Sequence, residues 1–135
     1  MAIGANGNAC AKFDSKGEPH LITQAQLEKR MTDERAVIRK LIQTAQAAGF
    51  ALTKVNDGEE IIRVSTEAQA MDAVFSVDES QLYFKHPGHT KGHSVWIVLG
   101  NSGPECIADC SEGDGWDTVM QEVSAYCDAI EASAN

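Results

Sequence analysis

The sequence lacks the features that mark membrane, secreted and nucleic-acid-binding proteins. No uncharged apolar stretch approaches the ~18 residues needed to span a bilayer, and the first eight residues lack the basic segment and apolar run of a signal peptide. Basic residues are few, since 11 Lys and Arg stand against 20 Asp and Glu, a formal net charge of -9. Because a phosphate-binding surface needs clustered cations, we expect a cytoplasmic protein that binds neither a membrane nor nucleic acid directly.

Catalytic motifs and disulfide spacing are also absent. The chain has no phosphate-binding glycine loop, no dinucleotide-binding glycine pattern and no serine nucleophile elbow. Its four cysteines, Cys10, Cys106, Cys110 and Cys127, are not spaced as a disulfide framework. In a strand, the sulfurs of Cys106 and Cys110 would lie roughly 13 Å apart, too far for a disulfide or for one zinc ion. We therefore predict reduced thiols packed in a core, no cofactor, and a function other than catalysis.

Hydrophobic periodicity predicts an α+β fold. Apolar residues recur every three or four positions in three stretches, which predicts helices over residues 23–48, 66–75 and 114–130. Thr32-Asp33-Glu34 offers an alternative, an internal N-cap that would divide the first helix in two. Alternating or continuously apolar stretches predict five strands over residues 50–55, 59–64, 81–86, 94–99 and 105–111.

The connections indicate how these elements assemble. Asn56-Asp57-Gly58 predicts a tight hairpin, and short loops between the later strands imply antiparallel pairing. We therefore predict one antiparallel sheet of about five strands with helices packed on one face, which leaves the other face free for a partner, including a second copy of the chain. Residues 94–99 should form a central strand. We interpret residues 1–20 as a flexible N-terminal arm and residues 21–135 as a single domain.

Strict alternation also assigns side chains to the core or to the surface. In the last strand it places Cys106, Ala108 and Cys110 on one face, and Ile107 with Asp109 on the other. Both tryptophans, Trp96 and Trp116, are interpreted as core anchors. A second interpretation of Trp116 is a half-exposed aromatic residue inside an acidic rim, which is a common arrangement at protein interfaces.

Four short motifs carry a resemblance to known proteins. They are Val55-Asn56-Asp57-Gly58-Glu59-Glu60, Ser65-Thr66, Val98-Leu99-Gly100-Asn101 and Ile107-Ala108-Asp109-Cys110. Together they resemble small uncharacterised proteins of bacteriophages, prophages and related mobile elements, over about residues 31–130. Cys110 stands where such proteins usually have an aromatic residue, and residues 1–30 have no counterpart. The resemblance implies a phage or integrated-element origin and supplies no active site.

Negative charge is concentrated in the last quarter of the chain, where residues 101–135 contain eight Asp and Glu and no Lys or Arg. Solubility and helix capping explain such residues in most proteins. The functional interpretation is a surface that occupies a basic groove built for phosphates. Under it the chain is an inhibitor of a host nucleic-acid-handling defence complex, of anti-CRISPR or anti-restriction type. The predicted partner-binding residues are Glu105, Asp109, Glu112, Asp114, Trp116 and Asp117.

Three of the four histidines lie within eight residues, at His86, His89 and His93. Neutral imidazoles are common metal ligands, and a hairpin loop can direct three of them at one ion. The alternative function is therefore a small metal-binding module or a metal-dependent enzyme at this loop. Against it, the spacing is not that of a helix face, and the loop contains no carboxylate.

Overall fold

A long first helix organises the protein in its computed structural model, which describes residues 23–100 and 103–133. Helix α1 (Gln24–Ala47) begins at a capping box, in which Thr23 Oγ1 accepts from the Gln26 N–H and Gln26 Oε1 accepts from the Thr23 N–H. The helix continues through Thr32, Asp33 and Glu34, so the single-helix interpretation is confirmed and the internal N-cap is wrong. The arm predicted over residues 1–20 lies outside the described residues.

The remaining elements form the predicted α+β fold. They are strands β1 (Ala51–Asn56) and β2 (Ile61–Arg63), helix α2 (Glu67–Val74), strands β3 (Glu79–Lys85), β4 (His93–Val98) and β5 (Ile107–Cys110), and helix α3 (Trp116–Ser133). The strands pair in the order β2-β1-β3-β4-β5, and every neighbouring pair is antiparallel. As predicted, β4 has a partner on each side, while β3 is the middle strand. No helix in the described ranges is long and apolar enough to cross a bilayer.

One face of the sheet is buried under the helices, and this burial follows the alternation of side chains along the strands. On β3, for example, Leu82 and Phe84 are buried, whereas Gln81, Tyr83 and Lys85 on the other face are only partly so. The buried face packs against apolar side chains of all three helices in one core. A single helical layer thus covers one face, and we call the other the open face.

A β-bulge changes the faces of the last strand. Trp96 pairs with Asp109, but the next residue of β4, Ile97, pairs with Ile107, so Ala108 is the extra residue. The bulge resets the alternation, and Ile107 and Cys110 both pack against the core while Asp109 is exposed. The predicted split, with Ile107 and Asp109 on one face and Cys110 on the other, is therefore wrong.

The turn after β4 is held against α1 by a buried carboxylate. Glu34 is only 3% exposed, and its Oε2 accepts a hydrogen bond from the Gly100 N–H at 2.8 Å. Arg30 Nε lies 3.9 Å from the same oxygen. Farther along, a Cβ on Gly103 would lie 2.3 Å from the Cβ of Asp33, so only glycine allows this close approach. These contacts fix the path of the chain from β4 towards β5.

Replacing Glu34 with alanine should destabilise the protein by about 1–3 kcal/mol, because the hydrogen bond from the Gly100 N–H to a charged, buried acceptor is lost. Glu34→Gln should cost less, since the amide oxygen can still accept that bond. Urea unfolding measures both effects. The control is Glu28→Ala, at an exposed position of the same helix, and equal stability of the Glu34→Ala and Glu28→Ala variants would contradict this role.

Candidate functional site

The predicted acidic residues follow the last strand into helix α3. Asp109, Glu112, Asp114 and Asp117 are all exposed, and we call them the acidic lip. Asp117 Oδ1 accepts from the Gly113 N–H at 3.3 Å, which ties the loop to the first turn of α3. Ser111 extends the strand, since its N–H donates to the Ser94 carbonyl at 2.9 Å. The lip is therefore anchored on both sides.

The pKa of the Cys110 thiol shows that the lip residues lie close together. Its pKa is raised by burial first and then by the negative charges of Asp109, Asp117 and Glu112, three of the four lip residues. A raised pKa keeps this thiol protonated at neutral pH, and the thiolate is the nucleophilic form. The same holds for Cys106, where burial raises the pKa to about 12. Cysteine chemistry is therefore disfavoured at both ends of β5.

Glu105 stands apart from the other predicted residues. It ends the short helical turn Gly103–Glu105, before β5, whereas Glu112, Asp114 and Asp117 follow that strand. A four-residue strand spans roughly 13 Å, so the structure does not bring Glu105 to the lip. Sequence proximity suggested one cluster, but β5 carries the chain from one end of the sheet to the other.

Nearby cations do not neutralise the lip. Among the described residues, the Lys and Arg ion pairs with carboxylates involve Asp33, Glu34, Glu67 and Glu122, and none involves a lip residue. On α3, the negative charge is compensated farther along, where Lys40 Nζ lies 3.2 Å from Glu122 Oε2. The start of the helix thus retains its uncompensated carboxylates.

The two tryptophans have different roles. Trp116 is fully buried, with its ring centroid 5.0 Å from that of Phe50 and 5.1 Å from that of Phe84. It therefore cannot contact a partner, and its inclusion among the binding residues was wrong. Trp96, predicted as a core anchor, is 43% exposed on the open face, where its Nε1 donates to Glu79 Oε2 at 3.0 Å. Trp96 lies between Val95 and Ile97, which are both buried. Because successive side chains of a strand point to opposite faces, this position was the signal in the sequence that Trp96 is exposed.

The three histidines of the β3–β4 loop do come together, but they bond to one another. His89 Nδ1 lies 2.9 Å from His93 Nε2, and the rings of His86 and His89 stack with centroids 4.6 Å apart. His86 Nδ1 accepts from the Gly88 N–H. These contacts engage one ring nitrogen of each histidine. Within the described parts of the chain, no group of three or more His, Cys, Asp or Glu has the geometry to hold a metal ion.

His93 is the buried member of this cluster, at 5% exposure. Its ring stacks on Trp116 at 5.2 Å and meets the edge of Phe50. Gly113 approaches so closely that a Cβ there would lie 2.5 Å from His93 Cε1. Burial lowers the pKa of His93, and positive charge on His89 and Lys85 lowers it further, against a smaller opposing effect of Asp117. The neutral imidazole therefore acts as a core side chain.

The open face contains a shallow depression next to the lip. Its volume is about 190 Å³, and it is lined by Gln81, Ser94, Trp96, Asp109, Cys110 and Ser111. A depression this small and polar is below the usual range for a small-molecule site.

Comparison with known proteins gives no match: no family model fits the chain, and neither the curated proteins nor the solved structures that were searched resemble it significantly. A function for this chain is therefore inferred from its geometry and charge.

Stability should fall as the pH drops below about 6.5, the ordinary pKa of histidine. Because the folded-state pKa of His93 is lowered, the unfolded chain takes up this proton first, and stability is lost as the pH falls from 6.5 through the folded value. The slope attributable to His93 is at most ~1.4 kcal/mol per pH unit. Urea unfolding between about pH 5.5 and 8 measures it. A His93→Gln variant should show a flatter profile, and an unchanged profile would contradict this assignment.

Iodide should quench the fluorescence of Trp96 and leave that of Trp116 almost unchanged, because only Trp96 is accessible. Trp96→Phe leaves the buried tryptophan as the sole indole emitter, and this variant should resist quenching. Trp116→Phe is the matched variant and should remain sensitive. Comparable quenching of the two variants would contradict the assigned burial.

Proposed function

We propose that this protein is a non-enzymatic binding protein whose acidic lip contacts a basic surface of another protein. The observation that carries the proposal is the group of four exposed carboxylates at the end of β5, of which none forms a described ion pair. Three of them act together on the Cys110 thiol, so they form one field at this end of the sheet.

The physical gain comes from relieving repulsion between like charges. At a separation of ~8 Å in water, two unit charges repel by about 0.5 kcal/mol, and physiological salt screens much of this. Each pair therefore contributes little, but a cationic partner interacts with all four carboxylates at once and loses their mutual repulsion. Such a lip should accelerate association and set specificity more than it increases affinity.

The partner with the matching chemistry is a groove rich in Arg and Lys that normally holds a phosphate backbone. Carboxylates presented at the end of a strand and the start of a helix can occupy such a groove without being nucleic acid. We therefore propose that the chain inhibits a nucleic-acid-handling defence complex of a host cell. The proposed setting is the cytoplasm, where thiols such as Cys106 and Cys127, which are free in the structure, stay reduced.

Reversing charge at the lip should abolish partner capture. Tagged protein is incubated with a bacterial lysate at low and at high salt, and the retained proteins are compared between the wild type and a Glu112→Lys, Asp114→Lys variant. We expect a salt-sensitive partner that the variant loses, with capture reduced at least about tenfold. The purified partner should then release bound nucleic acid when the wild-type protein is added.

The matched control makes the same charge change elsewhere. Glu59 and Glu60 are exposed in the β1–β2 turn, so a Glu59→Lys, Glu60→Lys variant alters the net charge equally and leaves the lip intact. Equal loss in both variants would show a dependence on net charge alone, and undiminished capture by the lip variant would reject the lip as the binding surface.

A further inference from the structure

The open face of the sheet has its own charge pattern, which shares only Asp109 with the lip. Three basic residues lie on this face: Lys85 donates to the His86 and His89 carbonyls, whereas Lys54 on β1 and Arg63 on β2 are register partners and form a basic corner. Two acidic residues lie diagonally across the face from the basic corner, and we call them the acidic corner: Glu79 at the start of the middle strand β3 and Asp109 on the edge strand β5. No described helix or loop packs over the area between them, where Trp96 is 43% exposed.

The centre of the open face is aromatic. Tyr83 and Trp96 lie on the neighbouring strands β3 and β4, two positions apart in register and therefore diagonal neighbours on the same face. Each is held in place, since Lys54 Nζ lies 4.9 Å from the centroid of the Tyr83 ring and Trp96 Nε1 is bonded to Glu79. Each aromatic ring is thus linked to one charged corner, and fixed aromatic side chains are typical of the centres of protein interfaces.

We propose that the open face is a homodimer interface, in which the basic corner of one copy lies over the acidic corner of the other. When two such sheets pack face to face, a two-fold axis lies in the plane between them. It places the basic corner of each copy over the acidic corner of the other, so the same contact forms twice. On a sheet with strands ~4.8 Å apart and ~3.3 Å per residue, this axis runs diagonally across β3. Strands of the two copies then cross at close to 90°, which is one of the two usual sheet packings.

The same operation brings the aromatic residues together. Trp96 lies on the acidic side of the diagonal axis and the Lys54–Tyr83 pair on the basic side, so the symmetric arrangement places Trp96 of one copy over that pair of the second copy. Arg63 then faces Glu79 of that copy. The charge pattern favours a second copy over a strongly basic partner here, because Lys54 and Arg63 would repel the partner that we assign to the lip. The dimer therefore goes beyond the proposed function and does not depend on it.

The size of the face sets the strength of the dimer. Five strands that average about five residues give roughly 400 Å² per copy, which is in the range of weak and transient interfaces. We therefore expect a weak and transient dimer that forms only at high protein concentration. Because the corner contacts are ionic and exposed, high salt should weaken it.

Sedimentation velocity of the full chain from about 10 µM to about 1 mM tests the dimer, at low salt and at about 0.5 M NaCl. The wild type should shift from monomer to dimer with concentration, and the shift should move to higher concentration in high salt. The emission of Trp96 should move to shorter wavelength over the same range. A chain that stays monomeric to about 1 mM at low salt overturns the proposal.

Two charge reversals make the test specific. Arg63→Glu and Glu79→Arg should each weaken the dimer at least about tenfold, since two-fold symmetry makes every repulsive contact occur twice. An equimolar mixture of the two variants should form a heterodimer, because each then presents the charge that the other lacks. Recovery in the mixture also shows that both variants are folded, and absence of recovery overturns the assigned contacts.

Matched controls locate the effect. Lys91→Glu and Glu28→Arg change the charge by the same amounts at exposed positions away from the open face and should dimerise like the wild type. The lip variant Glu112→Lys, Asp114→Lys should also dimerise, so failure of partner capture and failure of the dimer are separate results. A dimer that persists in both corner variants would place the interface elsewhere.

Discussion

Burial of one side of a five-stranded antiparallel sheet is the constraint on which the rest of the structure depends. The three described helices place their apolar side chains against one face only, and this layer contains the fully buried Leu41, Leu82 and Ile97. A sheet with alternating side chains needs cover on just one face, provided that the other is polar enough to meet water. Here the second face carries charged and aromatic residues in a definite arrangement, and both proposals concern what lies on or beside it.

Local patterns were sufficient to predict the elements. Capping residues such as Thr66, apolar spacing along α1 and α3, and the Asn56-Asp57-Gly58 turn are determined by neighbours within a few positions, so they can be predicted from one sequence. Contacts between distant segments could not be predicted this way. The hydrogen bond from Gly100 to Glu34 joins residues 66 positions apart, and no short-range pattern marks Glu34 as buried.

The candidate site, too, has features that the local sequence predicts and features that only the fold determines. Clustering of the lip follows from its position in one loop, whereas Glu105 is separated by a strand whose direction only the fold reveals. The two tryptophans were both assigned to the core because size and hydrophobicity favour burial. The side that a residue faces is decided by register, and the bulge at Ala108 shifts that register where β5 meets β4. The histidines were recognised as a group, yet their mutual bonding depends on packing around Phe50 and Trp116.

The bulge at Ala108 also affects how an edge strand of the sheet can pair with other molecules. Edge strands expose unpaired backbone groups that can pair with strands of other molecules and begin ordered aggregation. On β5 the ladder is interrupted by the extra residue and flanked by the charge of Asp109, and on the opposite border β2 is only three residues long. Both borders are therefore poor templates for continued strand addition. Association through a sheet face can then end at a pair of molecules instead of growing into a fibril.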